Sequence, residues 1–192
     1  MVLRIYLVSI WSIIDPVYYL FTRLRCIQSN DSYQPVFRVR LTKYKGKDVC
    51  LPDGTKICKN DMLLKVHLHN VRLLRETLVN QNQVMQGRYI YKRVKQSMPY
   101  LAMYINNHKD KSMIKGIIGI TLINKGIKNL GFECFEPENK FYKWFKKISL
   151  FPIYLLSTNT ASYDMKKHKL VYLMMSKNNL LSKYLNEDIK SQ

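Results

Sequence analysis

The opening of the chain sets the first constraint on its fold. From Val2 to Phe21 it reads Val-Leu-Arg-Ile-Tyr-Leu-Val-Ser-Ile-Trp-Ser-Ile-Ile-Asp-Pro-Val-Tyr-Tyr-Leu-Phe, with Arg4 and Asp15 its only charged residues. Side chains this apolar gain stability only when something covers them. A membrane-spanning helix needs about 20 consecutive apolar residues, and Asp15-Pro16 interrupts the run, leaving Ile5 to Ile14. A signal peptide fits poorly, because one basic residue precedes the apolar stretch and no small-x-small cleavage site follows it. At about 100° per residue, Arg4, Ser9, Ser12, Asp15, Thr22 and Arg23 gather on one side. Residues 1–26 are therefore expected to form an amphipathic N-terminal helical segment, in which Asp15 and Pro16 either kink the helix or start a second one as cap and first residue. Two covers for its apolar face stay open, the domain's own core and the lipid interface; Trp11, Tyr18 and the trailing Arg23 suit the second.

A second segment has the same character. Between Asn139 and Leu156, Lys140, Lys143 and Lys147 recur at three- and four-residue spacing, with Phe141, Trp144, Ile148 and Phe151 displaced around the helix. Packing on a sheet and lying on anionic lipid demand the same pattern. The two segments reinforce a membrane reading only if they share one face of the fold.

Charge narrows the partners without choosing among them. Thirty-two Lys+Arg against 13 Asp+Glu give +19, which attracts polyanions: an anionic membrane surface, an envelope glycan or glycolipid, or nucleic acid. Only nine of the basic residues are Arg, the side chain that grips phosphate bidentately, so nucleic acid ranks behind a membrane. The aromatic-basic stretch Arg88 to Lys95 resembles a single-strand binder. On a helix, though, it would turn Tyr91 and Val94 inward and leave Arg88, Lys92 and Lys95 in water.

With 47% hydrophobic residues the chain is neither disordered nor fibrous, and 192 residues suit one domain. After a polar link at 28–34, Val36 to Tyr44 alternates strictly between apolar and polar, the mark of a half-buried strand. Pro52-Asp53-Gly54 predicts a hairpin loop that sets Cys50 opposite Lys56, with Gly54 left-handed, and makes a Cys50–Cys58 disulfide the poorer outcome. Met62 to His69 reads as a strand with Leu64, Val66 and Leu68 on one face and Lys65, His67 and His69 on the other. A helical region follows from Val71 to Asn107, broken near 81–87 and at Pro99, with Tyr91, Val94, Met98, Leu101 and Ile105 inward. Then come a strand at 114–120, a short helix capped by Thr121 and containing Gly126, a strand at 132–135, the 139–156 helix, a strand at 170–174, and a helix capped by Ser176. The expected fold class is α+β: a small mixed or antiparallel sheet with helices packed on one face, residues 35–186 forming a single domain and 187–192 a frayed tail.

The most site-like residues are His67, Asp61 and Asn70, at the end of a strand that turns into a helix. His67 is a candidate general base if Asp61 or Asn70 comes round to fix its tautomer. The plain structural alternative makes Asn70 a helix cap. His67 and His69 have the separation of two metal ligands, but no third ligand is evident, so no metal is expected. The glycines do not form G-x-G-x-x-G, and no cofactor is expected.

The motif order Tyr6-Leu-Val-Ser-Ile-Trp-Ser-Ile-Ile-Asp-Pro-Val-Tyr-Tyr19, Leu51-x-Asp-Gly-Thr-x-Ile57, Asp61, His67-x-x-Asn70, Gly119-Ile-Thr121, Gly131-Phe132 and Met175-Ser-Lys177 resembles the YkoP-like domain family. The family also occurs attached to polysaccharide deacetylases, so the resemblance implies a role near the bacterial envelope. It does not imply deacetylation here, since the chain is too short for that catalytic domain and lacks its metal-binding Asp and His pattern. The resulting expectation is a domain on the cytoplasmic side, peripheral to the membrane's inner face, serving envelope glycan or glycolipid metabolism as an accessory or binding module. Trp11, Tyr18, Arg23, Lys140, Lys143, Trp144 and Lys147 are its expected membrane contacts. The alternatives are a small transferase or hydrolase using His67, and a nucleic-acid-binding protein.

Overall fold

The computed structural model describes residues 22–29, 32–77, 82–121, 126–138 and 170–185, with Ser9, Ser12, Ile13, Asp15, Pro16, Tyr19, Leu20, Phe141, Lys143, Trp144 and Lys146. In chain order the elements are β1 (Arg25–Cys26), β2 (Phe37–Lys43), β3 (Val49–Cys50), β4 (Lys56–Ile57), β5 (Met62–Leu68), α1 (Asn70–Thr77), α2 (Gln83–Asn106), β6 (Ile114–Thr121), a 3-10 turn at Ile127–Leu130, β7 (Glu133–Phe135), β8 (Val171–Ser176) and α3 (Lys177–Tyr184). Six strands form one sheet in the order β1-β2-β5-β6-β8-β7, and β3 with β4 makes a separate hairpin. Among the described residues only β5 and β6 run parallel; a parallel neighbour needs a crossover, which α1 and α2 supply. The protein is α+β, with a mixed sheet and helices packed on it. Arg25 and Cys26, grouped by sequence with the N-terminal segment, are the sheet's edge strand.

Alternation decides which residues reach the main core. Phe37, Val39 and Leu41 of β2 and Leu64, Val66 and Leu68 of β5 point to one face, where Met98, Leu101, Ala102 and Ile105 of α2 and Leu180 and Tyr184 of α3 meet them. The expected break at Pro99 does not occur, and α2 runs through it. An interior proline costs about 3 kcal/mol. Met98 and Leu101 are fully buried beside it, and at about 1.5–3 kcal/mol each they offset that cost.

The hairpin adopts the expected register, Cys50 opposite Lys56 and Val49 opposite Ile57, with Gly54 at φ 80°. The four cysteines are free. One expectation after β6 is corrected: Gly126 precedes the 3-10 turn at φ 77°, a left-handed conformation that glycine tolerates, instead of lying inside a helix. Thr121 ends the strand, and the helix it was expected to cap begins outside the described residues.

The opposite face of the sheet is covered too. At one end Leu63, Ile118 and Met174 pack with Tyr44 and with Leu51 and Ile57 of the hairpin region. At the other end lie the polar positions of β2 and β5, where Asp15, Tyr19 and Thr22 of the N-terminal segment meet Arg38 and Arg40. Ser9, Ser12, Ile13, Asp15, Pro16, Tyr19, Leu20 and Thr22 are helical, as are Phe141, Lys143, Trp144 and Lys146 in the second segment. Among the described residues no helix is long and apolar enough to cross a membrane.

Candidate functional site

The fold separates the residues that sequence groups together. Asp61 precedes β5 and His67 lies near its far end, which puts them roughly 20 Å apart along an extended chain. Asp61 accepts from the Cys58 amide at 2.6 Å and pairs with Lys115 at 2.9 Å. Burial opposes its ionisation, yet the Cys58 N–H and Lys115 outweigh that and hold the carboxyl below its ordinary range. It organises the approach to the strand and has no reach to His67. Asn70 is already the first residue of α1, and the carbonyl of His69 accepts from the Leu73 amide at 3.1 Å, so His69, not Asn70, flanks the helix.

What does gather is a block of basic side chains, cationic at Arg38, Arg40 and Lys65. Across the antiparallel β2–β5 pair Arg38 stands opposite His67 and Arg40 opposite Lys65. Facing residues of this kind have Cβ atoms about 4.5–5.5 Å apart, and like charges so placed, as at Arg40 and Lys65, repel. Arg38 holds Asp15 bidentately, Nη1 to Oδ1 at 2.8 Å and Nη2 to Oδ2 at 2.6 Å, and its guanidinium lies 5.1 Å from the Tyr19 ring. Its Nη2 is also 2.6 Å from His69 Nε2. A guanidinium only donates, so Nε2 accepts and the His69 proton sits on Nδ1. Burial and the Arg38 charge lower the His69 pKa in keeping with that neutral form. Arg40 Nη1 donates to the Thr22 carbonyl at 3.1 Å. The Nε atoms of Arg38 and Arg40 are buried without a hydrogen-bond partner among the described residues.

The field of this block shows in its titrating members. Burial, then Lys146 and Arg40, brings Lys65 down to about 8. Burial, then Lys65, Arg40, Lys146 and Arg38, brings His67 down to about 3. A base that weak is poorly matched to proton abstraction near neutrality. Chemically the arrangement suits holding an anion. Among the described residues no three His, Cys, Asp or Glu side chains gather as a metal-holding group.

Of the expected membrane contacts, Arg23 is exposed and left-handed at φ 51°, where the helical segment ends. Trp144 is 65% exposed, and Lys143 lies 3.7 Å from Glu136. Trp11, Tyr18, Lys140 and Lys147 lie outside the described residues. Ile13, Leu20 and Phe141 are exposed at 76%, 75% and 86%. Both segments border the block, since Asp15 and Thr22 bond Arg38 and Arg40 while Lys146 perturbs Lys65 and His67. On α2, Tyr91 and Val94 turn to the core and Arg88, Lys92 and Lys95 to solvent, so that stretch forms no stacking platform.

Two other motif pieces meet elsewhere. The Ser176 hydroxyl donates to Asp53 Oδ2 and accepts from the Asn179 amide at 3.0 Å, tying the hairpin loop to the cap of α3 beside a cavity of about 90 Å³. No histidine stands in that cavity lining, and the pair reads as a structural clamp.

Arg38 and Arg40 are the residues sequence reasoning missed. They occupy the polar phase of an alternating strand, which ordinarily faces water. The signal that finds them is the lone Asp15 in an apolar segment, whose burial requires a cationic partner. The comparisons with known proteins cover the same ground as the fold. The YkoP domain matches residues 4–184. A Bacillus subtilis (strain 168) protein described as "Uncharacterized protein YkoP" is 48% identical over 180 residues, spanning 94% of this chain and 97% of that protein. No solved structure matches the chain. With matches of that extent, the chain belongs to the YkoP domain family.

Proposed function

We propose that this YkoP domain binds the surface of an anionic membrane, on the cytoplasmic side, as an accessory or binding module in envelope glycan or glycolipid metabolism. The observation that carries the reading is the exposure of Ile13, Leu20, Phe141 and Trp144 on two helical stretches that border one basic block. Apolar side chains bearing on lipid and cations bearing on headgroups reinforce each other, because burial and electrostatic attraction add. The excess of +19 draws the domain to such a surface, and the free cysteines suit a reducing compartment.

Vesicle flotation tests it. The protein is expected to float with phosphatidylserine-containing vesicles at low salt, to remain behind with phosphatidylcholine alone, and to lose most of its binding as Phe141→Ser with Trp144→Ser. Failure to float with anionic vesicles at low salt would end the membrane reading.

A further inference from the structure

We propose that the block formed by Arg38, Arg40, Lys65 and His67 is a binding site for a phosphoryl group. Two cross-strand pairs put these four side chains on one patch of sheet. Asp15 is the one carboxylate the described residues bring to them, and both its oxygens are taken by Arg38. Arg40 and Lys65 then stand side by side with no described carboxylate. Burying such a pair is costly unless an anion neutralises it. The Nε of Arg40 is buried and has no described hydrogen-bond partner, so its guanidinium is under-satisfied where it stands. Lys65 and His67 are only half-buried, so the patch remains reachable. A phosphoryl group has the several acceptor oxygens that a guanidinium edge and an ammonium can share. The site does not depend on membrane docking: a soluble phosphate or a lipid phosphomonoester presents the same chemistry, and the two are separated by experiment.

The test is thermal unfolding of the full chain in sodium phosphate against sodium chloride at equal ionic strength, without lipid. Phosphate at ten times its dissociation constant is expected to raise Tm by about 3–6 °C in the wild type, and the rise should vanish in Lys65→Met. Because Lys65→Met removes a half-buried like-charge contact, its own Tm in chloride is expected to equal or exceed the wild type's, so lost binding cannot be confused with lost folding. Arg40→Met is the second variant, also expected to lose the phosphate response. A parallel arm compares phosphatidic acid vesicles with phosphatidylserine vesicles at matched charge. A wild-type preference for phosphatidic acid that Lys65→Met abolishes assigns the site to a lipid headgroup, and a phosphate response without that preference assigns it to a soluble ligand. A phosphate response that persists in both variants overturns the proposal, as does the lack of both a phosphate response and a phosphatidic acid preference. Failure to float with any anionic vesicle, with the phosphate response intact, removes only the membrane reading.

Discussion

Arg38 joins three parts of the chain, because its two-pronged contact with Asp15 fastens that part of the N-terminal segment to the sheet and its third contact fixes His69. Both partners are largely buried, with side-chain exposures of 9% and 14%. Removing one member of such a pair strands the other charge. Arg38→Met is therefore expected to cost about 3–5 kcal/mol, and the double variant with Asp15→Leu much less than the sum of the singles. Urea unfolding of the four proteins checks this, and additive losses would show that the pair is not coupled. His67 gives a pH prediction. Its folded pKa of about 3 lies below the ordinary value near 6.5. Above about 6.5 both folded and unfolded states are neutral there and His67 contributes nothing to the pH dependence. Between about 6.5 and about 3 the unfolded chain takes up a proton that the folded one refuses, so stability falls with pH by up to about 1.4 kcal/mol per unit. His69, also lowered, acts in the same direction. His67→Gln should reduce the slope between pH 6.5 and 4.5 without removing it. An unchanged slope would mean that His67 is freely protonated in the folded state.

Ser176 joins two elements: its hydroxyl caps α3 and binds the hairpin loop through Asp53. Loss of a cap costs about 1 kcal/mol, and the exposed Asp53 carboxylate regains a donor from water, so the lost bond to it adds little. Ser176→Ala is expected to lower stability by about 1–2 kcal/mol in urea unfolding, while Asn178→Ala, on the exposed side of α3, stays within about 0.5 kcal/mol. This cap was legible in advance, and so were the hairpin register and the apolar stripe of α2, since each is a local matter of turn chemistry or periodicity. What the sequence did not disclose was non-local. The polar phase of β2 looked solvated because nothing in Phe37–Lys43 says that the segment around Asp15, more than twenty residues earlier, will lie on it. Asp61 and His67 looked like neighbours because six positions is a short count, although an extended strand turns that count into most of a domain's width. Pro99 looked like a helix end because its local cost is visible in sequence, whereas the core packing of Met98 and Leu101 that outweighs it is not.

At the scale of the molecule the sheet is covered asymmetrically. One face has an apolar layer built from α2 and α3; the other is half apolar, under the hairpin, and half cationic, beside the N-terminal and 141–146 stretches. A fold selected for stability alone would place methylenes where the half-buried Arg40 and Lys65 stand, since replacing uncompensated charge that is partly out of water with apolar volume is neutral or stabilising. Their repulsion, added to a net charge of +19, should make the isolated protein sensitive to screening. Raising NaCl from 0.01 to 0.15 M shortens the screening length from about 30 to about 8 Å. The wild-type Tm is expected to rise by about 2–4 °C across that range, equivalent to about 1 kcal/mol for a chain of this size. Lys65→Met should start higher and rise less. A Tm that falls as salt is added would mean that attractive pairs such as Arg72–Glu76 and Lys115–Asp61 dominate the field. The cationic half of the sheet would then need no anion to balance it. A rise that Lys65→Met diminishes locates part of the strain in this one patch, where an arriving phosphoryl group would relieve it.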